Sequence, residues 1–389
     1  MRADLDLAVL GGGCAGLSLA ERLAEQAGPC RRVAVLEPRT RYSNDRSWCF
    51  WRLAPHRHDA LVKHRWSQIG VRSPSKTVRM DCTDTPYQLL EARAFYDQAQ
   101  RAIAASEGVR LHTGVVVLGQ PRPVPGGWRI ETSTGALTAA QVIDTRPRSA
   151  PRRQGAGLWQ SFLGQEVICD RPAFDPRRVE LMDFAHDAPG VLAFTYVLPL
   201  APDRALVETT LFDPQPHSAS QLIHRQQQAV RRWCGDGPVS VVRTESGMLP
   251  MGTSGQTPDH GPGYACAGLV AGAARPATGY AFQRIQSWAD RCSDALRQGQ
   301  AVQGHPPDPL LMRLMDRLFL DVLRAHPERG PELFTRLFER VEPARVVRFL
   351  SDQCRLTDRV AVAACLPTGL FLRQLMPPAL RQAARVQTS

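Results

Sequence analysis

The chain has 389 residues, enough for two or three structural units, and its apolar content of 43% is typical of a globular protein. Its formal net charge is +11, which comes almost wholly from arginine because Lys63 and Lys76 are the only lysines. No zinc-finger spacing, RNP-type segment or basic run accompanies this charge, so nucleic-acid binding is not predicted. No apolar run reaches about eighteen residues, so no membrane-spanning helix is predicted.

The cysteines, a histidine pair and two early aspartates argue against disulfide-linked, metal-binding and secreted proteins. The ten cysteines are scattered without a CxxC motif, which argues against a disulfide framework or a zinc site. His56 and His58 form an HxH pair without a third ligand at a suitable spacing, so no metal site is predicted. Asp4 and Asp6 interrupt the beginning of the chain, which favours a cytoplasmic protein over one with a secretory signal.

The first βα unit carries a dinucleotide-binding pattern. Gly11, Gly13 and Gly16 form GxGxxG between the apolar strand LDLAVLG and an amphipathic helix. The first glycine allows a tight turn, the second lets a pyrophosphate approach the backbone, and the third lets helix and strand pack closely. Glu37 ends the second predicted strand, 33–37, where a carboxylate can bind a ribose hydroxyl. The pattern therefore predicts a nucleotide cofactor.

Two later segments favour FAD over NAD. The stretch AQVIDTRP places Asp144 at the end of an apolar strand that returns to the nucleotide domain. A glycine-rich tract over 247–279, which includes Gly272 and Gly279, can then cover the flavin as a third pass of the chain. We therefore predict that these residues contribute to an FAD site.

The stretch NDRSWCFW, residues 44–51, is too aromatic for an ordinary surface loop. Trp48, Phe50 and Trp51 can line a substrate path near the flavin, where aromatic faces would stabilise a cation. They can equally form an aromatic cluster that packs two domains together. Tyr196 allows the same two interpretations.

The remaining elements complete the predicted architecture. In chain order they are a first helix ending at Gly28, an irregular aromatic segment to about residue 70, a helix over 89–107, a strand from Val109, a hairpin turning near Gly135, four strands between 159 and 212, a helix over 219–234, and helices beyond 305, one of them over 332–350. We expect an α/β fold in three parts. A Rossmann-like FAD-binding domain covers 1–150, with 240–300 returning to it. An antiparallel-sheet substrate domain covers 151–240, and a helical C-terminal region covers 305–389.

A set of motifs in this order resembles the bacterial lycopene β-cyclases over nearly the whole chain. The motifs are NDRSWCFW, WQSFLGQEV, LMDF, FTYVLPL, RALVETT, ESGMLPMG and GAARPATGY. The resemblance implies a flavoprotein of carotenoid synthesis in which NADPH reduces FAD and no net redox change occurs. It also implies that the substrate is lycopene or a related linear carotenoid. Protonation of a terminal double bond of this substrate leads to closure of a six-membered ring.

Such a reaction needs an acid of raised pKa in a dry pocket. Glu208 in RALVETT is the candidate acid, and Glu245 and Asp183 are the second and third candidates. The family pattern commonly has another acid where this chain has Thr209. It also has histidine in place of Arg275 and glycine in place of Pro147, two departures that bear on flavin contacts.

A carotenoid resides in the bilayer, so we expect a peripheral protein on the inner face of the cell membrane. Other carotenoid-pathway enzymes are candidate partners there. Three segments suit such a contact: the amphipathic stripes over 310–323 and 333–350 and the apolar stretch 362–376. Alternatively, these segments pack on their own domain. Two other functions stay open. One is a redox flavoprotein of the monooxygenase or reductase type, and the other is a non-catalytic relative that binds FAD or a carotenoid.

Overall fold

The computed structural model describes residues 3–26, 32–147, 157–184, 191–252 and 261–375. The strands are β1 (Leu5–Leu10), β2 (Val33–Glu37), β3 (Ser47–Trp51), β4 (Val62–Trp66), β5 (Gln68–Ser73), β6 (Lys76–Asp81), β7 (Tyr87–Glu91), β8 (Val109–Thr113), β9 (Arg122–Val124), β10 (Gly127–Thr132), β11 (Gly135–Asp144), β12 (Leu158–Cys169), β13 (Arg178–Asp183), β14 (Leu192–Ala201), β15 (Arg204–Asp213), β16 (Val239–Met251) and β17 (Tyr264–Cys266). The helices are α1 (Cys14–Glu25), α2 (Ala92–Ala104), α3 (Ala219–Cys234), α4 (Phe282–Arg297), α5 (Leu310–Ala325), α6 (Gly330–Arg340), α7 (Pro343–Leu350), α8 (Leu356–Cys365) and α9 (Thr368–Leu375).

The first sheet is the nucleotide-binding type that the sequence predicts. Its order is β8-β2-β1-β11-β10-β9, with β17 also pairing with β11. The pairs of β1 with β2 and β11, of β2 with β8 and of β11 with β17 are parallel. The glycine motif thus lies between β1 and α1 at the carboxyl edge of a parallel sheet, where ligands bind in open α/β folds.

The second sheet has the order β16-β12-β15-β14-β13-β5-β6. Its central pairs are antiparallel, as the alternating runs predict. Two assignments differ from the sequence prediction. Residues 239–251 form an edge strand of this sheet, so the chain does not turn back to the first domain at residue 240. Residues 68–81 form a hairpin of the same sheet, whose main partner β13 is remote in sequence and gives no local signal.

Two helix predictions need correction. The predicted helix over 89–107 begins only at Ala92, because residues 87–91 form the central strand of a small sheet with the order β3-β7-β4. A short apolar run fits either a strand or a helix, and pairing with two neighbours decides it here. The predicted helix over 332–350 is two helices separated before Pro343, since proline interrupts a helix interior but suits its first turn. The predicted helix over 219–234 is confirmed.

The strand β3 joins the two largest apolar cores, because its side chains alternate between them. Cys49 and Trp51 pack in the core beneath the second sheet, while Trp48 and Phe50 pack in the core around α1, α2 and α4. Alternation of this kind follows from the two-residue repeat of a strand. One short strand therefore connects the nucleotide-binding half to the second sheet.

A buried arginine ties the C-terminal helices to the loop before α4. Arg275 is 2% exposed and donates to both carboxylate oxygens of Asp316 on α5, at 3.2 and 3.1 Å. It also donates to the backbone carbonyl of Phe349 on α7. This arginine stands where the family pattern has histidine, and here it serves as an internal ion-pair partner between segments remote in sequence.

Replacing Asp316 by asparagine is expected to destabilise the fold, because it leaves the Arg275 guanidinium buried with its main counter-charge removed. Loss of one partner of a buried pair costs about 3–5 kcal/mol in the free energy of unfolding. Chemical or thermal unfolding measures the change. The matched control is Asp294→Asn, which breaks the exposed ion pair with Arg297 and should cost less than about 1 kcal/mol. Equal effects of the two changes would contradict the structural role of Arg275.

Candidate active site

Two of the three candidate acids and the predicted substrate-lining Tyr196 lie in one row across four neighbouring strands. Tyr196 on β14 is directly opposite Glu208 on β15, Glu208 is opposite Gly164 on β12, and Gly164 is opposite Glu245 on β16. Residues directly opposite one another in a sheet share a face. A Cβ atom added to Gly164 would lie 3.1 Å from Glu208 Oε2 and 3.3 Å from Glu245 Cγ, so both acidic side chains pack over this glycine.

Glu208 is a buried carboxyl that keeps its proton. It is 8% exposed, and it accepts a hydrogen bond from Thr210 Oγ1 at 3.1 Å. Burial and the neighbouring charge of Glu245 raise the pKa of Glu208 to about 8, against a smaller opposing effect of Thr210 and Arg243. At neutral pH this side chain is therefore a proton donor.

Glu245 differs because it has a cationic partner. Arg243 Nη1 donates to Glu245 Oε2 at 2.5 Å, and Ser47 Oγ donates to the same oxygen at 3.1 Å. Burial raises the pKa of Glu245 above its ordinary value, and the charge and hydrogen bond of Arg243 and the hydrogen bond of Ser47 offset only part of this effect. The two carboxyls titrate together, and the arginine favours the arrangement in which Glu245 is ionised and Glu208 is protonated.

Glu208 faces a cavity of about 150 Å³. The apolar part of its wall consists of Leu181, Met182, Phe194, Phe212, Ala277, Phe334, Leu337, Phe338 and Leu350. The remaining wall includes three tyrosines in a hydrogen-bonded chain, with Tyr196 Oη donating to Tyr87 Oη at 3.0 Å and Tyr87 Oη lying 3.2 Å from Tyr280 Oη. Burial raises the pKa of the Tyr87 and Tyr196 phenols, which therefore stay neutral. We call this space the acid cavity.

The aromatic residues predicted as substrate-lining divide into two groups. Tyr196 lines the acid cavity, but Trp48, Phe50 and Trp51 do not. Trp48 and Phe50 stack on Phe282 of α4, with ring centroids 5.2 and 5.1 Å apart, so the packing interpretation applies to both. Trp51 packs behind the cavity wall, its ring 4.6 Å from that of Tyr87. The strand alternation explains this division, because the large rings at 48 and 50 point away from Glu208, and contact of these residues with a substrate elsewhere stays a prediction.

Sequence reasoning missed the small residues on the other face of β3. Ser47 donates to Glu245, and Cys49 packs in the core that contains Tyr87 and Tyr196. Burial raises the pKa of the Cys49 thiol, and the nearby charges of Glu245 and Glu208 add to that effect. A two-residue period through SWCFW would have predicted this face, had the segment been recognised as a strand.

Asp183 and Thr209 lie on the opposite face of the second sheet from Glu208. Asp183 is opposite Thr195, and Thr195 is opposite Thr209, which is next to Glu208 in sequence and so points the other way. Asp183 lies 3.8 Å from Arg232 on α3, away from the acid cavity. The structure therefore places Asp183, the third predicted acid, apart from Glu208 and Glu245. An acid at position 209 would likewise not face the cavity, whereas Glu245 lies on the same face of the sheet as Glu208 and packs beside it over Gly164.

The three motif glycines have the conformations and surroundings of a dinucleotide cradle. Gly11 has φ +96°, in the region that favours glycine. A Cβ at Gly13 would meet nothing within 4 Å, which leaves the beginning of α1 open for a phosphate, whereas one at Gly16 would lie 2.0 Å from the Gly11 carbonyl oxygen. Open space at the second glycine and close packing at the third fit the pyrophosphate site of FAD.

Glu37 and Asp144, two further predicted cofactor residues, differ in the contacts that their carboxylates already make. Glu37 is buried at the end of β2 and accepts from Gly12 N at 2.6 Å and from Arg39 Nε at 2.8 Å. Both contacts hold the carboxylate beside the glycine motif, where a ribose would lie. The Asp144 carboxylate accepts hydrogen bonds from Arg146 Nε at 2.9 Å, Arg146 Nη2 at 2.7 Å and Tyr264 Oη at 2.8 Å. Asp144 thus joins β11 to the β17 segment, and its contact with a cofactor stays a prediction.

The late glycine tract approaches the same cradle. Gly272 and Gly279 have φ values of +84° and +73°, so both turns favour glycine. A Cβ at Gly268 would lie 3.3 Å from Ala15 Cβ, which places this tract against the first turn of α1. The tract can therefore cover a nucleotide held at the glycine motif. Pro147, the other departure from the family pattern, is exposed at the end of a described segment.

Comparison with known proteins gives a match over most of the chain. The family model described as lycopene cyclase protein matches residues 6–376. The chain is similar to two proteins named lycopene beta-cyclase. One, from Paracoccus sp. (strain N81106 / MBIC 01143), is 28% identical over 402 residues, covering 95% of this chain and 97% of the relative. The other, from Pantoea ananas, is 28% identical over 323 residues, covering 75% of each chain.

Solved structures share the fold at lower identity. A geranylgeranyl bacteriochlorophyll reductase-like protein from Thermoplasma acidophilum has a TM-score of 0.58 at 14% identity, covering 92% of this chain and 96% of that one. Aklavinone-11 hydroxylase, in a ternary complex with FAD and aklavinone, has a TM-score of 0.54 at 15% identity, covering 85% and 70%. The predicted α/β fold with a nucleotide-binding sheet, an antiparallel sheet and C-terminal helices is thereby confirmed.

Alanine at Gly13 and at Gly16 should separate flavin binding from folding. Gly13→Ala adds a Cβ into open space, so the flavin-free protein should lose about 1 kcal/mol or less in the free energy of unfolding, while FAD binds at least about tenfold more weakly. Gly16→Ala places a Cβ against the Gly11 carbonyl and should destabilise even the flavin-free protein. Unfolding curves and FAD titrations measure the two effects. Unchanged FAD affinity in Gly13→Ala would place the pyrophosphate elsewhere.

Proposed function

The chain belongs to the lycopene cyclase protein family, and we propose from that premise that it is a lycopene beta-cyclase. It closes the linear ends of lycopene to β-ionone rings without net redox change, with FAD in its reduced form and NADPH as the reductant. One observation carries the proposal: Glu208, a carboxyl with a pKa of about 8, faces an apolar cavity beside Glu245. Protonation of an alkene needs such a donor, because an ordinary carboxyl is ionised at neutral pH.

In the proposed reaction Glu208 donates its proton to the terminal double bond of the polyene. The resulting tertiary carbocation is attacked by a neighbouring double bond, which forms the carbon–carbon bond of a six-membered ring. Glu245, held ionised by Arg243, then accepts a proton from the ring, and a double bond forms. One proton enters and one leaves, so the product is an isomer of the substrate.

The wall of the acid cavity suits a transient cation. The rings of Phe194, Tyr196 and Tyr280 face the cavity, and aromatic faces attract positive charge through their quadrupole. The surrounding apolar side chains exclude water, which would otherwise capture the cation. The apolar side chains of the wall carry no negative charge to stabilise the cation, and the carboxylate of Glu245, beside Glu208, supplies one.

We assign the flavin to the cradle of Gly11, Gly13, Gly16 and Glu37, covered by the tract that contains Gly272 and Gly279. The fit rests on the open space at Gly13 and on the approach of Gly268 to α1. When bound, the reduced flavin supplies an electron-rich ring that favours positive charge nearby. Ser47, the first residue of β3, donates to Glu245 and accepts from Arg243. These contacts connect β3 to the acid pair of Glu208 and Glu245.

We also propose that the C-terminal helices contact the inner face of the membrane. Across the described ranges no helix is both long and apolar enough to cross a bilayer. The exposed apolar side chains on α5, α8 and α9 include Leu310, Leu314, Leu356, Val360, Leu372 and Leu375. Arg313 and Arg317 lie between the leucines on α5. Leucines beside arginines suit the interface of a membrane with anionic lipids.

A redox flavoprotein is the alternative, because solved structures with this fold include a hydroxylase and a reductase-like protein. The stoichiometry of NADPH separates the two functions. A cyclase needs only catalytic amounts to keep the flavin reduced, whereas a redox enzyme consumes one NADPH per product. Consumption of one equivalent per ring closed would overturn the cyclase proposal.

Activity should fall as pH rises through about 8, since Glu208 donates only in its protonated form and its pKa is raised to that value.

Glu208→Gln should lower turnover by about 10²–10⁴-fold. Glu245→Gln removes the charge that helps to raise the pKa of Glu208, so any residual activity should decline at a lower pH. Chromatography of products from purified, flavin-reduced enzyme measures each rate.

The matched control for the acid pair is Glu131→Gln, which neutralises an exposed carboxylate on β10. It should leave both the rate and the pH profile unchanged. A Glu208→Gln variant that cyclises lycopene at the wild-type rate would refute the assignment of the acid.

Acidic substitution of the α5 leucines should weaken membrane contact. Leu310→Glu together with Leu314→Glu places charge on two side chains that are 70% and 62% exposed, so folding should be preserved. We expect at least about tenfold weaker sedimentation with vesicles containing anionic lipid. Val241→Glu with Val242→Glu, at similarly exposed positions on β16, is the control and should bind as the wild type does. Equal binding by all three proteins would place the membrane contact elsewhere.

A further inference from the structure

The acid cavity is too small for a whole linear carotenoid. Its volume is about 150 Å³, and an apolar cavity of roughly this size accommodates a molecule such as benzene. It can therefore receive the six carbons that form one ring and little more. The remainder of an elongated substrate must therefore lie outside this cavity.

A second and larger space adjoins the acid cavity. It is a cleft of about 620 Å³, within the range of roughly 300–1,000 Å³ that is usual for ligand sites. Its lining includes Phe50, Trp51 and Phe282. Tyr280 and Leu350 line both the cleft and the acid cavity, so these two side chains form the wall between them. We call the larger space the outer cleft.

We propose that the outer cleft is a second substrate subsite, which holds the unreacted part of the linear polyene while one end lies beside Glu208. The inference rests on the proposed function and deepens it. It assigns to Tyr280 and Leu350 the passage between the subsites, and it gives Phe50 and Trp51 a contact with the substrate distant from the reacting end.

The charges around the outer cleft favour an uncharged occupant. Arg22 Nε lies 2.5 Å from Asp290 Oδ1, and Arg284 is paired with both Asp308 and Asp352. Arg57 is likewise paired with Glu21 and Glu25. The three paired arginines are poorly disposed to bind the phosphates of a nucleotide, and Arg291 is the remaining arginine among the described lining residues. Between them lie aromatic rings and Pro306, Pro307 and Pro309, which offer apolar contact to a polyene.

The wall between the two spaces lies beside two residues with positive φ and is braced by Arg275. Tyr280 follows Gly279, which has φ +73°, and Leu350 ends α7 two residues before Asp352, a non-glycine residue with φ +59°. Arg275 connects the two sides, since its backbone N–H donates to the Tyr280 carbonyl at 3.0 Å and its guanidinium donates to the Phe349 carbonyl. A passage between Tyr280 and Leu350 is thus held by one side chain.

The experiment compares two substrates, lycopene and a short acyclic analogue that carries only the reacting end. Leu350→Trp narrows the passage, and Ala54→Trp fills part of the outer cleft from an exposed position, so it should fold even if the first variant does not. Ala54→Trp should lower kcat/KM for lycopene at least about tenfold and leave the analogue within about twofold. Leu350→Trp, at a residue that also lines the acid cavity, should impair both substrates, and lycopene more strongly than the analogue. Leu337→Trp, which lines only the acid cavity, is the control and should impair both substrates.

The outcomes separate the inference from the function on which it rests. If wild-type enzyme cyclises lycopene, and both tryptophan variants retain the wild-type ratio between the two substrates, the second subsite is refuted while the cyclase stands. If Ala54→Trp instead raises the KM of NADPH in flavin reduction and leaves lycopene unaffected, the outer cleft is a nucleotide site and the inference falls. If the wild type cyclises neither substrate, the proposed function itself fails.

Discussion

The site depends on two carboxyls that share the space above one glycine. Glu208 and Glu245 come from strands on either side of Gly164, and both pack where its side chain would be. Two buried carboxyls this close cannot easily both be charged, so a proton is retained. Arg243 contacts only one of them directly, which makes the pair unequal. An acid and a base thus arise from identical side chains in different surroundings.

The small sheet containing β3 holds this pair in relation to the nucleotide half. Ser47 reaches Glu245 from one face of β3, while Trp48 and Phe50 anchor the other face on Phe282 of α4. The helix α4 packs in turn against α1, which follows the glycine motif. The cofactor cradle and the acid pair are therefore connected through five residues of strand, and the aromatic stretch owes its composition to that double packing.

The C-terminal helices close the other side of the acid cavity. Phe334, Leu337 and Phe338 of α6 and Leu350 of α7 form part of its wall. Arg275 fixes these helices to the loop before α4 through Asp316 and Phe349. Arginine in place of the family's histidine thus has a structural explanation, because its longer side chain spans the loop, α5 and α7 at once. The helical region that we propose to meet the membrane is the same region that forms this wall of the acid cavity.

The sequence by itself determined the features that local patterns encode. The glycine motif, strand β2 to Glu37, helix α3 and the antiparallel runs around Glu208 each depend on residues close together in the chain. Family resemblance added Glu208 as the acid, but not its partner with certainty. Tertiary structure decided which side chains meet: strand register set Glu245 beside Glu208 and turned Asp183 and Thr209 to the other face. It also turned Ser47 toward the acid pair and Trp48 away from it. Register depends on pairing between strands far apart in sequence, and a shift of one residue reverses every face, so no local pattern could have fixed it.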